Sequence, residues 1–270
     1  MKGEVVVNKY IKINLEGINV VITGGAGGIG NAIAQAYLMC GANVIVLDKL
    51  PKGKYLEKIA NEKFKNKISY YEVDLLNEEE TNTVLESVIN KFKTITHLIN
   101  NVGIYGNDGI HEINILEFKN MLDINLMISL RMLKFFIPKM KEQKFGRIIN
   151  IASVAAFLNG VNSGTYNMSK VAVVSMTKTL AKEVRSNNIR VNAICPGLVN
   201  TPMLDNMISR RSNYCNQSYE DYYKNLMNVC EQERLVEPEE VANVAAFLGS
   251  ELSSGISGVS ILVTTGGLIY

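Results

Sequence analysis

The chain has 270 residues, 47% of them hydrophobic and 20% charged, a length and balance that bury a core without staples and need no repeat or fibrous arrangement. A net charge of +2 with no clustered basic face points away from nucleic acid and from an anionic membrane surface. No apolar run reaches the ~20 residues of a membrane span, the N-terminus does not read as a signal peptide, and the four scattered cysteines read as free thiols, so a cytoplasmic protein is expected.

Residues 1–16 read as an N-terminal arm. Val5–Val7 and Tyr10–Ile13 alternate only partly, which fits a short hairpin and an extended segment equally well. Residues 17–270 read as one domain. Its first strand is the β-branched run Ile18–Thr23, followed at once by Gly24-Gly25-Ala26-Gly27-Gly28-Ile29-Gly30. An apolar helix then runs to Gly41, and a second strand from Asn43 closes on Asp48. In a β–glycine loop–α–β unit the glycines let the backbone approach a pyrophosphate. The following helix N-terminus offers unpaired N–H groups to the anion. Asp48 can accept hydrogen bonds from the adenosine ribose and would repel a 2′-phosphate, although Lys49 beside it offsets part of that charge. The unit therefore implies a dinucleotide, with NAD favoured over NADP.

The alternation continues. Residues 55–64 read as a helix, Ile68–Val73 as a strand ending at Asp74-Leu75, and 77–92 as a helix capped by Asn77 with Glu78, Glu79 and Glu80 in its first turn. Ile95–Ile99 is a strand leading into Asn100-Asn101-Val102-Gly103. A long helix is expected from Ile113 to Lys141, with Pro138 marking its fraying end. Arg147–Ile151 is a strand closing on Ala152-Ser153. A helix carrying Tyr166 follows, to about Ser186. Ile189–Ile194 leads to Pro196-Gly197, and a helix at 239–248 precedes a last strand, Val259–Val263. Strands alternating with helices predict an α/β, Rossmann-like, doubly wound parallel sheet of about seven strands with helices on both faces. Asp48, Asp74, Asn100, Ser153 and Pro196 then share the carboxyl edge, where such sheets bind ligands.

Tyr166 and Lys170 lie four residues apart on one helix face, and no other tyrosine has a lysine at that offset. A neighbouring ammonium favours the phenolate, and such a pair can exchange protons with an alcohol or carbonyl. Only two histidines are present, His97 and His111. His111-Glu112 lacks a second histidine four residues on, so neither zinc chemistry nor a histidine triad is expected.

Taken together, the chain from Gly17 to Gly267 resembles the short-chain dehydrogenase/reductase family in its classical branch. Thr23-Gly24-x-x-x-Gly28-x-Gly30 is similar to the family's cofactor loop, Asp74 to its adenine-contacting aspartate, and Asn100-Asn101-Val102-Gly103 to its Asn-Asn-Ala-Gly. The resemblance implies Asn125, Ser153, Tyr166 and Lys170 as the catalytic set. It implies a cofactor site formed by Thr23, Gly24, Gly28, Ile29, Gly30, Asp48, Asp74, Leu75, Asn101, Gly103, Tyr166, Lys170, Pro196, Gly197, Val199 and Thr201, and no metal. In that scheme Tyr166 moves the proton, Lys170 lowers its pKa and holds the nicotinamide ribose, Ser153 binds the substrate oxygen, and Asn125 holds a water linking Lys170 to solvent. A homotetramer or homodimer is implied, with the Asn125 and Tyr166 helices at a major contact. Thr264-Thr265-Gly266-Gly267 departs from the family at a stretch where many members carry an aspartate.

Residues 199–236 are expected to form a lid over a small-molecule substrate, with Phe157, Leu158 and Val161 on the other wall; the segment carries Arg210-Arg211, neither of which is placed so as to demand a carboxylate substrate, although Arg210 could reach in. The reading is an NAD-dependent dehydrogenase of a small polyol, hydroxyketone or hydroxy acid. The alternatives are a 3-oxoacyl or hydroxysteroid reductase and, third, a non-catalytic dinucleotide-binding protein.

Overall fold

The computed structural model describes residues 12–53, 64–106, 110–158, 163–228 and 234–266. The arm up to residue 11 lies outside them, as does the helix expected over 55–64 except for Phe64. The strands are β1 (Asn19–Thr23), β2 (Asn43–Asp48), β3 (Ile68–Glu72), β4 (His97–Asn100), β5 (Gly146–Ile151), β6 (Ile189–Pro196) and β7 (Ser260–Val263). They form one seven-stranded sheet in the order β3-β2-β1-β4-β5-β6-β7, and every neighbouring pair is parallel.

Parallel strands buried on both faces need apolar side chains in both directions. Val20 and Ile22 point to one layer and Val21 between them to the other. The first layer holds α1 (Gly28–Met39) and α8 (Pro238–Gly249), which pack on each other through Ile33, Tyr37, Val241 and Ala245. The second holds α2 (Glu78–Phe92), α4 (Ile128–Gln143) and α5 (Gly164–Val184). Among the described residues no helix is long and apolar enough to cross a membrane.

Register sets the site. Ile22 pairs with Val46 on one side and Ile99 on the other, Ile99 with Ile149, and Ile149 with Asn192. The strands therefore end at nearly one level, and Asp48, Asn101, Ser153 and Pro196 leave the sheet along one edge. The chain order reverses between β1 and β4, which opens a crevice at that edge.

The expected helix from Ile113 to Lys141 is not continuous. It comprises α3 (Ile115–Leu122), one π-helical turn (Asp123–Met127) and α4. A π turn inserts one residue into the helical repeat and rotates the helix beyond it. Asn125 sits in that turn. Pro138 does not fray the end either. It lies on the exposed side of α4, which runs on to Gln143 because Met132, Phe136 and Met140 bury the opposite face and outweigh one missing hydrogen bond. Asn77 caps α2 as expected, its side chain accepting from Glu80 N at 3.1 Å.

Candidate active site

The floor of the crevice is backbone. Gly24 has φ +64°, in the left-handed region. A Cβ on Gly30 would stand 2.2 Å from the Gly24 carbonyl oxygen and 2.6 Å from Asn101 Nδ2, so the loop and helix close only around glycine. Asn101 fastens the loop from the other side of the reversal, its Nδ2 donating to the Thr23 and Gly24 carbonyls at 3.2 and 2.9 Å. Thr23 itself is fully buried. Its hydroxyl accepts from Asn101 N at 3.1 Å and donates to the Ile99 carbonyl, so it braces the loop from behind and does not line the crevice. Helix α1 opens with no side-chain cap and no acidic residue in its first turn, leaving its N–H groups to an anion.

A cavity of about 680 Å³ begins at this loop and extends to the β5 and β6 ends. Gly24, Gly28, Ile29, Gly30, Asp48, Asp74 and Leu75 line one end, and Asn101 and Gly103 the middle. Ser153, Tyr166, Lys170, Pro196, Gly197, Val199 and Thr201 line the other. Asp48 is held by its own neighbourhood, accepting from Ala26 N at 2.9 Å and Leu50 N at 3.0 Å. The Thr201 methyl lies over Gly28 so closely that a Cβ there would come within 2.5 Å of it. Val102, bulkier than the family's alanine, fills the space beside Gly24, 3.0 Å from where a Cβ would stand.

At the far end the Ser153 hydroxyl stands beside the Tyr166 phenol, near enough to pull its pKa down. The Ser153 hydroxyl also accepts from Ala155 N at 3.1 Å, which fixes it at the mouth of β5. Burial pushes the Tyr166 phenol up to about 12 against the smaller downward pull of Ser153. Burial brings the Lys170 ammonium down to about 8. The amine donates to the Ile151 carbonyl at 3.1 Å and stands 5.7 Å from the Tyr166 ring centroid. Ser153, and not Lys170, is the group that pulls the phenol down, and burial outweighs it. With only protein around it, the phenol keeps its proton at neutral pH.

Asn125 does not line the cavity. Its Oδ1 accepts from Ile104 N at 2.7 Å, and its Nδ2 donates to the Ile104 carbonyl and Ser169 Oγ, both at 3.0 Å. The π turn thus presents the side chain to the loop after β4 and to α5 together. A Cβ on Gly103 would stand 3.3 Å from Lys170 Nζ and 3.4 Å from Asn125 Oδ1, so these three groups are in near contact.

The segment over the cavity holds α6 (Pro202–Tyr214) and α7 (Tyr219–Met227). Leu204, Met207 and Ile208 pack with Tyr105, Tyr222 and Leu226 in a cluster separate from the two main layers. Arg210 points out to solvent, and it is Arg211 that lines the cavity. Leu158 lines it too, whereas Phe157 turns back onto Val173 and Val174, and Val161 lies outside the described residues. Tyr105, which sequence reasoning did not single out, packs its ring 5.0 Å from that of Tyr166. Arg211 had a signal: it continues the 204, 207, 208 stripe that α6 turns inward.

The glycine cradle, the uncapped helix start and the acidic close of β2 fit a dinucleotide, and the phenol, hydroxyl and amine stand where its reactive end would reach. The family described as short chain dehydrogenase matches residues 18–212, and the chain belongs to it. It is an NAD(P)-dependent oxidoreductase of the alcohol/ketone class, which sets aside the non-catalytic reading. Over 259 residues the chain is 33% identical to a 3-oxoacyl-[acyl-carrier-protein] reductase of Aquifex aeolicus, covering 95% of this chain and 99% of that one. It is 33% identical over 256 residues to a diacetyl reductase [(S)-acetoin forming] of Staphylococcus epidermidis, covering 93% and 98%. A solved NAD+-bound xylitol dehydrogenase superposes with a TM-score of 0.86 at 28% identity, covering 93% of this chain and 99% of the other.

Proposed function

We propose that the chain is an NAD-preferring dehydrogenase/reductase of a small polyol, hydroxyketone or hydroxy acid, with Tyr166 as the group that gives and takes the proton. The observation that carries this reading is the Tyr166 phenol beside Ser153 in a cavity that Asp48 lines at its other end. The loop, Asp48, Asp74 and Thr201 would hold NAD, which would supply the hydride donor or acceptor for the interconversion. The protein supplies the rest. Ser153 positions the substrate oxygen and stabilises charge developing on it. The protonated phenol is the form that reduction of a ketone requires, since it donates to that oxygen. Lys170, anchored on the Ile151 carbonyl, brings positive charge beside Tyr166 for the reverse direction, in which the phenol must lose its proton. Asn125 acts one step back, holding the loop after β4 against α5 so that Gly103 and Lys170 keep their places.

NAD over NADP follows from Asp48 at the close of β2, where a carboxylate opposes a 2′-phosphate. The small-substrate reading is supported by the diacetyl reductase and xylitol dehydrogenase names among similar proteins. A second reading, 3-oxoacyl reduction, has the Aquifex relative in its favour. A panel of polyols, hydroxyketones, hydroxy acids and 3-oxoacyl thioesters, with NAD(H) and NADP(H) compared by nicotinamide absorbance, decides between them. Fastest turnover of a short, unactivated substrate with NAD(H) supports the first reading. Preference for long 3-oxoacyl thioesters supports the second.

We also infer a homodimer or homotetramer. Met127, Leu130, Met168 and Val171 are 38–48% exposed on the faces of the Asn125 and Tyr166 helices, an apolar area that a second copy would cover. Light scattering of the purified protein tests this, and a monomer refutes it.

A further inference from the structure

The cavity continues past Tyr166 and Ser153 to the underside of α6 and α7, where Leu204, Met207 and Leu226 line it. Tyr105 lines it too and touches both parts. Its ring lies 5.0 Å from the Tyr166 ring, the planes tilted by 58°, and it packs with the buried Leu204, Met207 and Ile208 of α6. The two phenols are close enough for Tyr105 to push the Tyr166 pKa up. On the α6 side the Arg211 guanidinium carbon lies 5.5 Å from the centroid of the Tyr105 ring. The backbone that carries this ring has little freedom. Asn125 clamps the residue before it, its Oδ1 accepting from Ile104 N at 2.7 Å and its Nδ2 donating to the Ile104 carbonyl at 3.0 Å. The residue after it, Gly106, is pressed on the buried Met121, whose Cε would stand 2.1 Å from a Cβ there. One residue further back, a Cβ on Gly103 would come within 3.3 Å of Lys170 Nζ.

A rigid ring on a clamped backbone, packed against a second ring on one side and a buried helix face on the other, does not step aside for a bulky ligand. Turning it away gives up both contacts and forces its torsions off their wells. Helix α7 is held differently: it buries none of its residues fully, so Leu226 can yield. A substrate whose oxygen reaches Tyr166 and Ser153 has its reacting carbon beside the Tyr105 ring, and a substituent that extends from that carbon toward α6 meets it. We infer that Tyr105 is a specificity-determining residue of this site, its ring limiting the size of the group that the reacting carbon can carry and restricting the enzyme to short ketones and alcohols. This rests on the reading of Tyr166 as proton donor, which fixes where the reacting carbon sits, and it disfavours long 3-oxoacyl and steroid substrates for a stated physical reason.

The test uses the full chain with NADH and two diketones that share their reacting groups, diacetyl and 1-phenyl-1,2-propanedione, the second with a phenyl ring in place of one methyl. The wild type is expected to prefer diacetyl by ~10-fold or more in kcat/KM. Tyr105→Ala is expected to move the ratio toward the phenyl diketone by ~30-fold or more, mainly through KM. Tyr105→Leu keeps apolar bulk against α6 and should move it part of the way, which covers an alanine variant that folds poorly. Tyr105→Phe should keep the wild-type ratio, because the ring and not the hydroxyl is the wall. Leu226→Ala, across the cavity on α7, should move the ratio by less than about threefold. A wild type that reduces both diketones equally well overturns the inference. So does a ratio unmoved in both Tyr105→Ala and Tyr105→Leu, and so does an equal shift in Leu226→Ala, which would give the size limit to the lid. An equal loss for both diketones with a lower melting temperature marks Tyr105 as a packing group only, and a failure of wild type and variants to reduce either diketone also counts against it. A binding arm separates this claim from the role of Tyr166. In Tyr166→Phe with saturating NADH, the phenyl diketone should raise the melting temperature only when Tyr105→Ala is added. A rise of the same size without it counts against Tyr105. If Tyr166→Phe instead reduces diacetyl at the wild-type rate, it is the proton donor that is wrong, while the binding arm still reads Tyr105.

Discussion

The glycine loop between β1 and α1 and the α6–α7 segment face each other across one cavity and are held in opposite ways. The loop is fixed by backbone. Its strands are buried on both sides, its turn needs Gly24 in the left-handed region, and the Gly30 position has no room for a Cβ. The segment is fixed by a few side chains. Leu204, Met207 and Ile208 anchor α6, while α7 buries none of its residues fully. A surface that must cradle an invariant pyrophosphate tolerates one geometry. A surface that chooses a substrate is free to change its side chains and to move.

The sharpest way to break this contrast is Gly30→Val. Its Cβ would meet the Gly24 carbonyl and Asn101 Nδ2, so backbone must shift. NAD affinity is expected to fall at least ~100-fold, with a loss of roughly 3 kcal/mol in stability. Near-normal NAD binding by calorimetry would show that the loop is less constrained than its geometry says.

The amino edge of the sheet gives the next largest effect. Burial holds the His97 imidazole down at about 4, where its Nε2 meets the Gly249 carbonyl at 2.9 Å. Below the ordinary imidazole value near 6.5 the unfolded chain takes up a proton that the folded one refuses. Stability therefore falls as pH drops from about 6.5 to 4, by roughly 1.4 kcal/mol per unit and about 3 kcal/mol in all. Denaturant melts of wild type and His97→Gln should converge toward pH 4, and a constant difference would contradict the assignment.

Asp48→Ala should shift the NAD/NADP preference by ~10- to 50-fold toward NADP, mostly in KM, since it removes the repulsion and not the cradle. An unchanged ratio would take Asp48 out of that role. Ile208→Ala should cost least where it is read globally. A cavity of this kind costs ~2 kcal/mol, but it falls on the small cluster under α6. Proteolysis confined to 202–227 and a few-fold rise in substrate KM, with NAD affinity unchanged, are expected. A fall in NAD affinity of the same size would mean that the two walls are one unit.

The same contrast explains what could be read from residues alone. The strands and the loop were legible because β-branched runs and glycine spacing state backbone requirements directly. Ser153 and Tyr166 were legible as members of a set, and β5 and α5 do bring them into contact. The π turn at Asn125 left no mark in the periodicity, because one extra residue among Leu122, Ile124 and Leu126 still looks helical. Pro138 was misread because a local breaker was weighed without the buried face of Met132, Phe136 and Met140. Arg210 was read as able to reach in, because the helical stripe that turns Arg211 toward the cavity and Arg210 out was not weighed. Thr23 belongs to the motif but spends its hydroxyl on Ile99 and Asn101, which only the packing reveals.

The phenol of Tyr166 is the group on which the proposed chemistry depends most, and its measurement is direct. NADH-dependent ketone reduction and NADH affinity are determined side by side for wild type and Tyr166→Phe, a change that removes one oxygen and leaves the ring against Tyr105. Turnover should fall ~10³-fold or more while the NADH dissociation constant stays within about twofold. A Tyr166→Phe protein that reduces the ketone at the parent's rate would contradict that chemistry.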